Sequence, residues 1–299
     1  MTTNTQVSHK NTGRRNVIKI LSGRETSDGA GVRLTRYIAS PDLDMLDPFL
    51  LLDAFHSDDP DDYIAGFPPH PHRGFETVTY LINGRFRHKD SAGNEGVIKA
   101  GGVQWMTAGR GIEHSEMPEQ EQGLVFGFQL WVNLPASKKM MAPRYQEIDA
   151  KHIPVEIRDN GIKVKVIAGT TIEGTEGAVK DIEAAPLYLD ISLPAGQNYI
   201  EQVVEGHSAF VLVIKGGVEI KGGLASTKLE QGSLGVLSDG EQLHIDSDRD
   251  SRLLLIAGKP FNEPVARYGP FVMNRPEEIE QAFEDYRAGK FGFVKEANE

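Results

Sequence analysis

Phe75-Glu-Thr-Val-Thr-Tyr-Leu-Ile-Asn-Gly84 is a run of β-branched and aromatic residues that closes on a turn pair. Such side chains fit the pleated, half-buried surface of a sheet, and glycine reaches turn conformations that other residues resist. Leu212-Val-Ile-Lys-Gly216 is a weak echo of the same strand-into-turn shape. Outward from the first run, short apolar segments recur at Val17–Leu21, Val32–Ala39, Val97–Ala100, Val103–Thr107 and Phe126–Val132. A second series follows at Lys163–Ala168, Leu187–Leu193, Ala209–Ile214, Val218–Ile220, Leu234–Leu237, Leu243–Asp246 and Leu253–Ala257. Strands spaced in this way, with Gly or Asn between most of them, predict barrels or sandwiches. The repeated rhythm points to a duplicated all-β fold.

A chain of 299 residues is long enough for two compact domains. From Pro135 to Gly161 the strand rhythm breaks in a stretch rich in Lys, Met, Pro, Glu and Asp, which reads as a linker. The expected organisation is a polar disordered tail at 1–15, a metal-binding barrel at 16–134, a linker at 135–161, a second barrel at 162–275 and a C-terminal helix and tail at 276–299. The helix rests on Pro276, the apolar spacing through Ala288, and Gly289 as its stop; it should pack on the barrels.

Composition removes several function classes. The formal charge of −11 lacks the concentrated positive field that nucleic acid or anionic lipid requires. No apolar run approaches the ~18–20 residues of a membrane span, and Arg14-Arg15 is followed by a segment that Lys19 interrupts, without a cleavage pattern. A soluble, monomeric, cytoplasmic protein is expected, nuclear as well if the host is eukaryotic. The chain has no cysteine, so imidazole and carboxylate are the strong metal ligands left to it.

Those ligand types are concentrated in two stretches, Gly66-Phe-Pro-Pro-His70-Pro-His72-Arg-Gly-Phe-Glu76 and Thr107-Ala-Gly-Arg-Gly-Ile-Glu-His114-Ser-Glu116-Met-Pro118. Residues two apart on a strand share a face. His70 with His72, and His114 with Glu116, would thus form a four-ligand pocket where two strands meet. Three imidazoles and a carboxylate suit a transition metal better than Ca or Mg. Iron(II) is the first expectation, with Cu, Mn, Ni, Co or Zn as alternatives. Glu76, four residues after His72, would face the same way on a regular strand, so spacing alone leaves the choice of carboxylate open.

The strings His70-Pro-His72-Arg-Gly-Phe-Glu-Thr-Val78 and Gln104-Trp-Met-Thr-Ala-Gly-Arg-Gly-Ile-Glu-His114-Ser-Glu116-Met-Pro118 resemble the pirin family of the cupin superfamily. The resemblance continues through Leu130-Trp-Val-Asn-Leu-Pro135 and Gly269-Pro-Phe-Val-Met-Asn274 and covers roughly residues 16 to 293. It implies a bicupin, with His70, His72, His114 and Glu116 as iron ligands, and it favours Glu116 over Glu76. It further implies a quercetin 2,3-dioxygenase-like oxidoreductase that acts on a small aromatic substrate with dioxygen, with Glu116 as the catalytic base. The alternative within the family is a redox-sensitive iron protein that regulates a transcription factor or metabolic enzyme by protein contact.

Other polar residues receive plainer readings. Glu76 would support the ligands or pair strands, and Arg73 would orient a ligand or a substrate oxygen. His88-Lys-Asp90 reads as a solvated hairpin and His56 as loop. His207 and His244 lack paired spacing, so the second barrel is expected to be metal-free. Trp105, Met106, Phe128 and Gln129 lie on segments able to line the mouth of the first barrel.

Overall fold

A computed structural model describes residues 13–223 and 225–292. Its two halves follow one plan, a seven-stranded sheet facing a four-stranded one, with antiparallel pairing in every ladder. In the first half the large sheet runs in the order Arg144–Ile148, Val103–Thr107, Phe75–Asn83, Val125–Asn133, Phe49–Ser57, Val32–Ile38, Arg24–Asp28. The small sheet runs Phe67–His72, Ile112–Pro118, Arg85–Asp90, Glu95–Lys99. The second half repeats this order with Ser208–Lys215 in the place of Phe75–Asn83, so the two echoing stretches fall on corresponding strands. These are jelly-roll sandwiches, and neither large sheet closes on itself as a barrel would.

Alternation along each strand sends one set of side chains inward and the other outward. The outward faces of the two large sheets meet in one apolar core, where Val78, Tyr80, Phe128 and Leu130 pack with Phe210, Leu212, Leu254 and Ile256. Phe49 stands edge-on to Phe210, with ring centroids 5.4 Å apart. At the rim Tyr80 Oη donates to Asp190 Oδ2 at 2.5 Å, and the Nε and Nη2 of Arg252 donate to the same carboxylate at 2.9 and 2.6 Å. The buried carboxylate is fully paired, as burial demands.

The termini cross between the halves, and backbone pairing runs across the expected boundaries. Val17–Ser22, assigned from the sequence to the first barrel, pairs with Ser233–Leu237 at the edge of the second half's large sheet. Leu21 is buried in the shared core while Ile18 and Ile20 face outward. Of the tail expected at 1–15, residues 1–12 lie outside the described residues. Arg15 is fully buried, donating to the carbonyls of Val204, His207 and Ser238. The stretch 135–161, expected as a linker, carries Arg144–Ile148, which pairs with Val103–Thr107, and Val155–Ile157, which pairs with Lys163–Ala168. Backbone pairing makes it part of both sheets.

The helix Pro276–Arg287 forms where its signals placed it, with the amides of Asn274 and Arg275 donating to Glu278 at its start. Residues 293–299 of the expected C-terminal segment lie outside the described residues. The helix packs against the first half, where Arg73 Nη1 donates to Asp285 Oδ2 at 2.8 Å. Lys139 Nζ donates to the carbonyls of Gly74 and Val272 and to Asn133 Oδ1, at 2.7, 3.0 and 2.7 Å. No helix among the described residues is long and apolar enough to cross a membrane.

Candidate metal centre

Phe67–His72 contains Pro68, Pro69 and Pro71. Proline cannot donate to a ladder and is tolerated on an edge strand, and this strand is the edge of the small sheet. Its antiparallel pairing sets His70 opposite His114. His72 and His114 are buried, and His70 is half-buried. The three imidazoles converge, with ring centroids 4.5 to 5.0 Å apart and one ligand nitrogen from each within 4.8 Å of the others.

The electrostatics are those of neutral imidazole donors. Burial, followed by repulsion from the neighbouring histidines, holds His72 and His114 well below the ordinary histidine range. His70 Nδ1 contacts the Pro68 carbonyl at 2.8 Å, which makes it the N–H donor and leaves Nε2 as a lone-pair donor. His72 Nδ1 and both nitrogens of His114 are buried without a protein hydrogen-bond partner. Buried polar atoms normally have partners, and a metal ion satisfies imidazole nitrogens that the protein leaves unpaired. The donor set therefore fits a transition metal.

Glu116 faces the same interior as His114 and is buried, although it stands outside the three-histidine group. Its Oε1 accepts from Thr79 Oγ1 at 2.6 Å and its Oε2 from Gln129 Nε2 at 3.0 Å. The pocket opens into a cavity of about 720 Å³. Phe67, Leu51 and Trp131 supply apolar wall, while Gln129, Glu116, His70 and His72 supply polar groups. Gly269 and Pro270, from the C-terminal segment, complete the rim. Such a mixture suits a flat, partly polar ligand.

Glu76 lies elsewhere. Gly74 adopts φ +87°, and a Cβ there would fall 1.9 Å from the Val272 carbonyl oxygen. The chain turns at this glycine from the small sheet into the large one, which breaks the parity that a regular strand would have kept between His72 and Glu76. Glu76 instead shares the face of Val78 and Tyr80, next to the core between the halves. Its Oε1 accepts from Thr107 at 2.6 Å, its Oε2 has no partner, and burial pushes its pKa up to about 7.

Several further expectations change. Arg73 points away from the cavity, donating to Arg110 O at 2.6 Å and stacking 4.6 Å from the Phe291 ring. His88 and Asp90, read as a solvated hairpin, face inward on Arg85–Asp90 and are buried. His88 Nε2 contacts Glu147 Oε2 at 2.5 Å. His56, read as loop, is exposed at the end of a strand, with its ring 4.4 Å from Phe126. Trp105 and Phe128 belong to the core between the halves and Met106 packs with Ala108 and Ile112, so of the four expected mouth residues Gln129 alone lines the cavity. Sequence reasoning misses Trp131 and Thr79. The signal that could have found them is parity, since Gln129 and Trp131 share a face of one strand and Thr79 pairs directly with Gln129.

A duplicated jelly roll whose first half gathers three histidines able to hold a metal defines a bicupin. The chain belongs to the pirin family: the pirin model matches residues 31–132 and the pirin C-terminal cupin domain residues 188–292. A pirin-like protein of Caulobacter vibrioides is 52% identical over 93% of this chain and 99% of its own length. The crystal structure of a quercetin 2,3-dioxygenase from Acinetobacter baumannii superposes with a TM-score of 0.84 at 36% identity, covering 93% of this chain and 98% of the other. A bacterial pirin from Escherichia coli, solved in complex with nickel(II), shares the fold at 21% identity and a TM-score of 0.62, covering 81% and 98% of the two chains.

Proposed function

We propose that this chain is a metal-dependent dioxygenase of the quercetin 2,3-dioxygenase type, acting on a flavonol or a similar enol or phenol. The observation that carries the reading is the trio of converging imidazoles, with His70 and His72 at the wall of the cavity and with His72 Nδ1 and both nitrogens of His114 buried and unpartnered. His70, His72 and His114 would hold the metal, iron(II) by preference, with Glu116 beside them as ligand or base. When bound, the metal supplies Lewis-acid and redox chemistry toward the substrate hydroxyl and dioxygen.

The protein's own residues have separate tasks. Phe67 and Trp131 clasp the aromatic rings, excluding water from the reacting face. Glu116 takes the proton of the ring hydroxyl onto a carboxylate oxygen, which makes the ring electron-rich enough to react with dioxygen. In the overall reaction both oxygen atoms enter the cleaved product and one ring carbon leaves as carbon monoxide. Pro270 and Gly269 close the rim from the other half, so the crossed C-terminal segment shapes the substrate entrance.

The test is oxygen uptake with quercetin after anaerobic loading with ferrous iron, with a His70→Ala, His114→Ala double variant as the blank. Uptake matched by carbon monoxide release in the wild type alone is expected. Glu116→Gln should lose turnover by roughly 100-fold or more, the scale of a lost general base, a larger loss than that in its metal affinity. Tight iron binding without uptake would replace this reading with that of a redox-sensitive regulatory protein.

A further inference from the structure

Glu116 is a buried carboxylate, and a buried carboxylate is placed by whatever donates to it. Its donors come from the opposite sheet. Thr79 on Phe75–Asn83 and Gln129 on Val125–Asn133 are register partners, and each takes one oxygen, Thr79 Oγ1 on Oε1 at 2.6 Å and Gln129 Nε2 on Oε2 at 3.0 Å. Thr79 Oγ1 also lies 2.7 Å from Gln129 Oε1. The hydroxyl has one proton for two acceptors, and the contact to Glu116 is the shorter.

The neighbouring groups leave this task to these two residues. His88 is the cross-strand neighbour of Glu116, but its Nε2 is engaged by Glu147. The next residue along the row beyond Gln129 is Asp53, and both its oxygens accept from Arg36, at 2.8 and 2.7 Å. That ion pair satisfies the second buried carboxylate within its own strand pair. Thr79 and Gln129 differ in one respect: Gln129 lines the cavity, whereas Thr79 does not.

We propose that Thr79 and Gln129 are positioning residues that fix the carboxylate of Glu116 beside the three histidines, Thr79 from behind and Gln129 from the substrate side. The catalytic part of this assignment rests on the function proposed above, and the metal-binding part does not. Partners of a metal-site ligand typically contribute about 10–100-fold in affinity or activity.

The experiment uses full-length protein loaded with cobalt(II), whose visible spectrum reports the donors around the ion. Affinity is read by chelator competition in wild type, Thr79→Val, Thr79→Ser, Gln129→Leu, Glu116→Gln and the Thr79→Val, Glu116→Gln double variant. Thr79→Val should shift the spectrum as Glu116→Gln does and weaken binding by about 10-fold. Thr79→Ser, which restores the hydroxyl, should return both to wild type, and the double variant should match Glu116→Gln alone, because the two residues act as a unit. With quercetin, Thr79→Val should lower kcat at constant KM, whereas Gln129→Leu should move both.

Wild-type cobalt spectrum and affinity in Thr79→Val, or an effect that adds fully to that of Glu116→Gln, would overturn the proposal. A change that Thr79→Ser fails to reverse would assign it to misfolding and overturn it equally. A wild-type protein that binds cobalt but consumes no flavonol would defeat the proposed function while the spectra still decide the positioning role.

Discussion

The two halves share a strand order and differ in what fills them. In the first, the inward positions of Ile112–Pro118 hold His114 and Glu116. The corresponding strand of the second, Gln242–Asp246, holds Leu243 and Ile245. Opposite them, the first half presents Thr79 and Gln129 where the second presents Val211 and Leu255 in a continuous aliphatic core. An aliphatic interior is complete once packed. A polar interior is complete only when every buried donor and acceptor is matched, and the unpaired nitrogens of His72 and His114 mark where the protein alone does not complete it. One scaffold thus carries a closed aliphatic interior or a cluster of potential metal donors according to the residues at a few inward positions.

The strongest way to break this comparison is to remove a histidine. His114→Ala should lose bound metal and flavonol-dependent oxygen uptake by ~100-fold or more, since even a ligand's partner is worth about 10–100-fold. Metal analysis on the purified protein checks it, and a full equivalent of tightly held metal in the variant would locate the site elsewhere. The converse substitution, Leu255→Ala in the second interior, should lower unfolding stability by about 3 kcal/mol through a cavity and leave metal content unchanged. Chemical denaturation and metal analysis on one sample separate the two interiors.

The seam between the halves gives a smaller effect. Glu76 is raised to about 7 from an ordinary 4.5, so its neutral form favours folding. Its contribution is fully present below about pH 4.5 and is lost as pH rises through about 7. Glu76→Gln should flatten that slope and make the protein more stable by roughly 2 kcal/mol at pH 9, read as the urea midpoint across pH. An identical slope in variant and wild type would show that Glu76 does not titrate with folding.

Much of this molecule is legible in its residues alone. The apolar runs mark strands because sheet burial imposes a period of two on local sequence, and Pro276 and Gly289 bracket the helix through purely local backbone preferences. The alternation of His70 with His72 and of His114 with Glu116 is likewise local, as is the resemblance carried by the strings around them. Glu76 departs from its expected place because Gly74 ends the regular strand, so counting by four does not preserve a face. His88 departs from its own because its strand is short, highly charged and flanked by turn residues, and its burial depends on a sheet assembled from distant segments.

By itself, the sequence determined the all-β class, the duplicated rhythm and the chemistry available to a metal, since each depends on residue type and short-range periodicity. Tertiary structure alone decided that Val17–Ser22 completes the far sheet, that the 135–161 stretch belongs to both sheets, and that Thr79 and Gln129 meet Glu116. The physical reason is that a strand's hydrogen-bonding edge accepts any partner of suitable register. The choice among partners is made by the burial of whole faces, such as Leu21 against Leu234 and Val236 in the core between the halves.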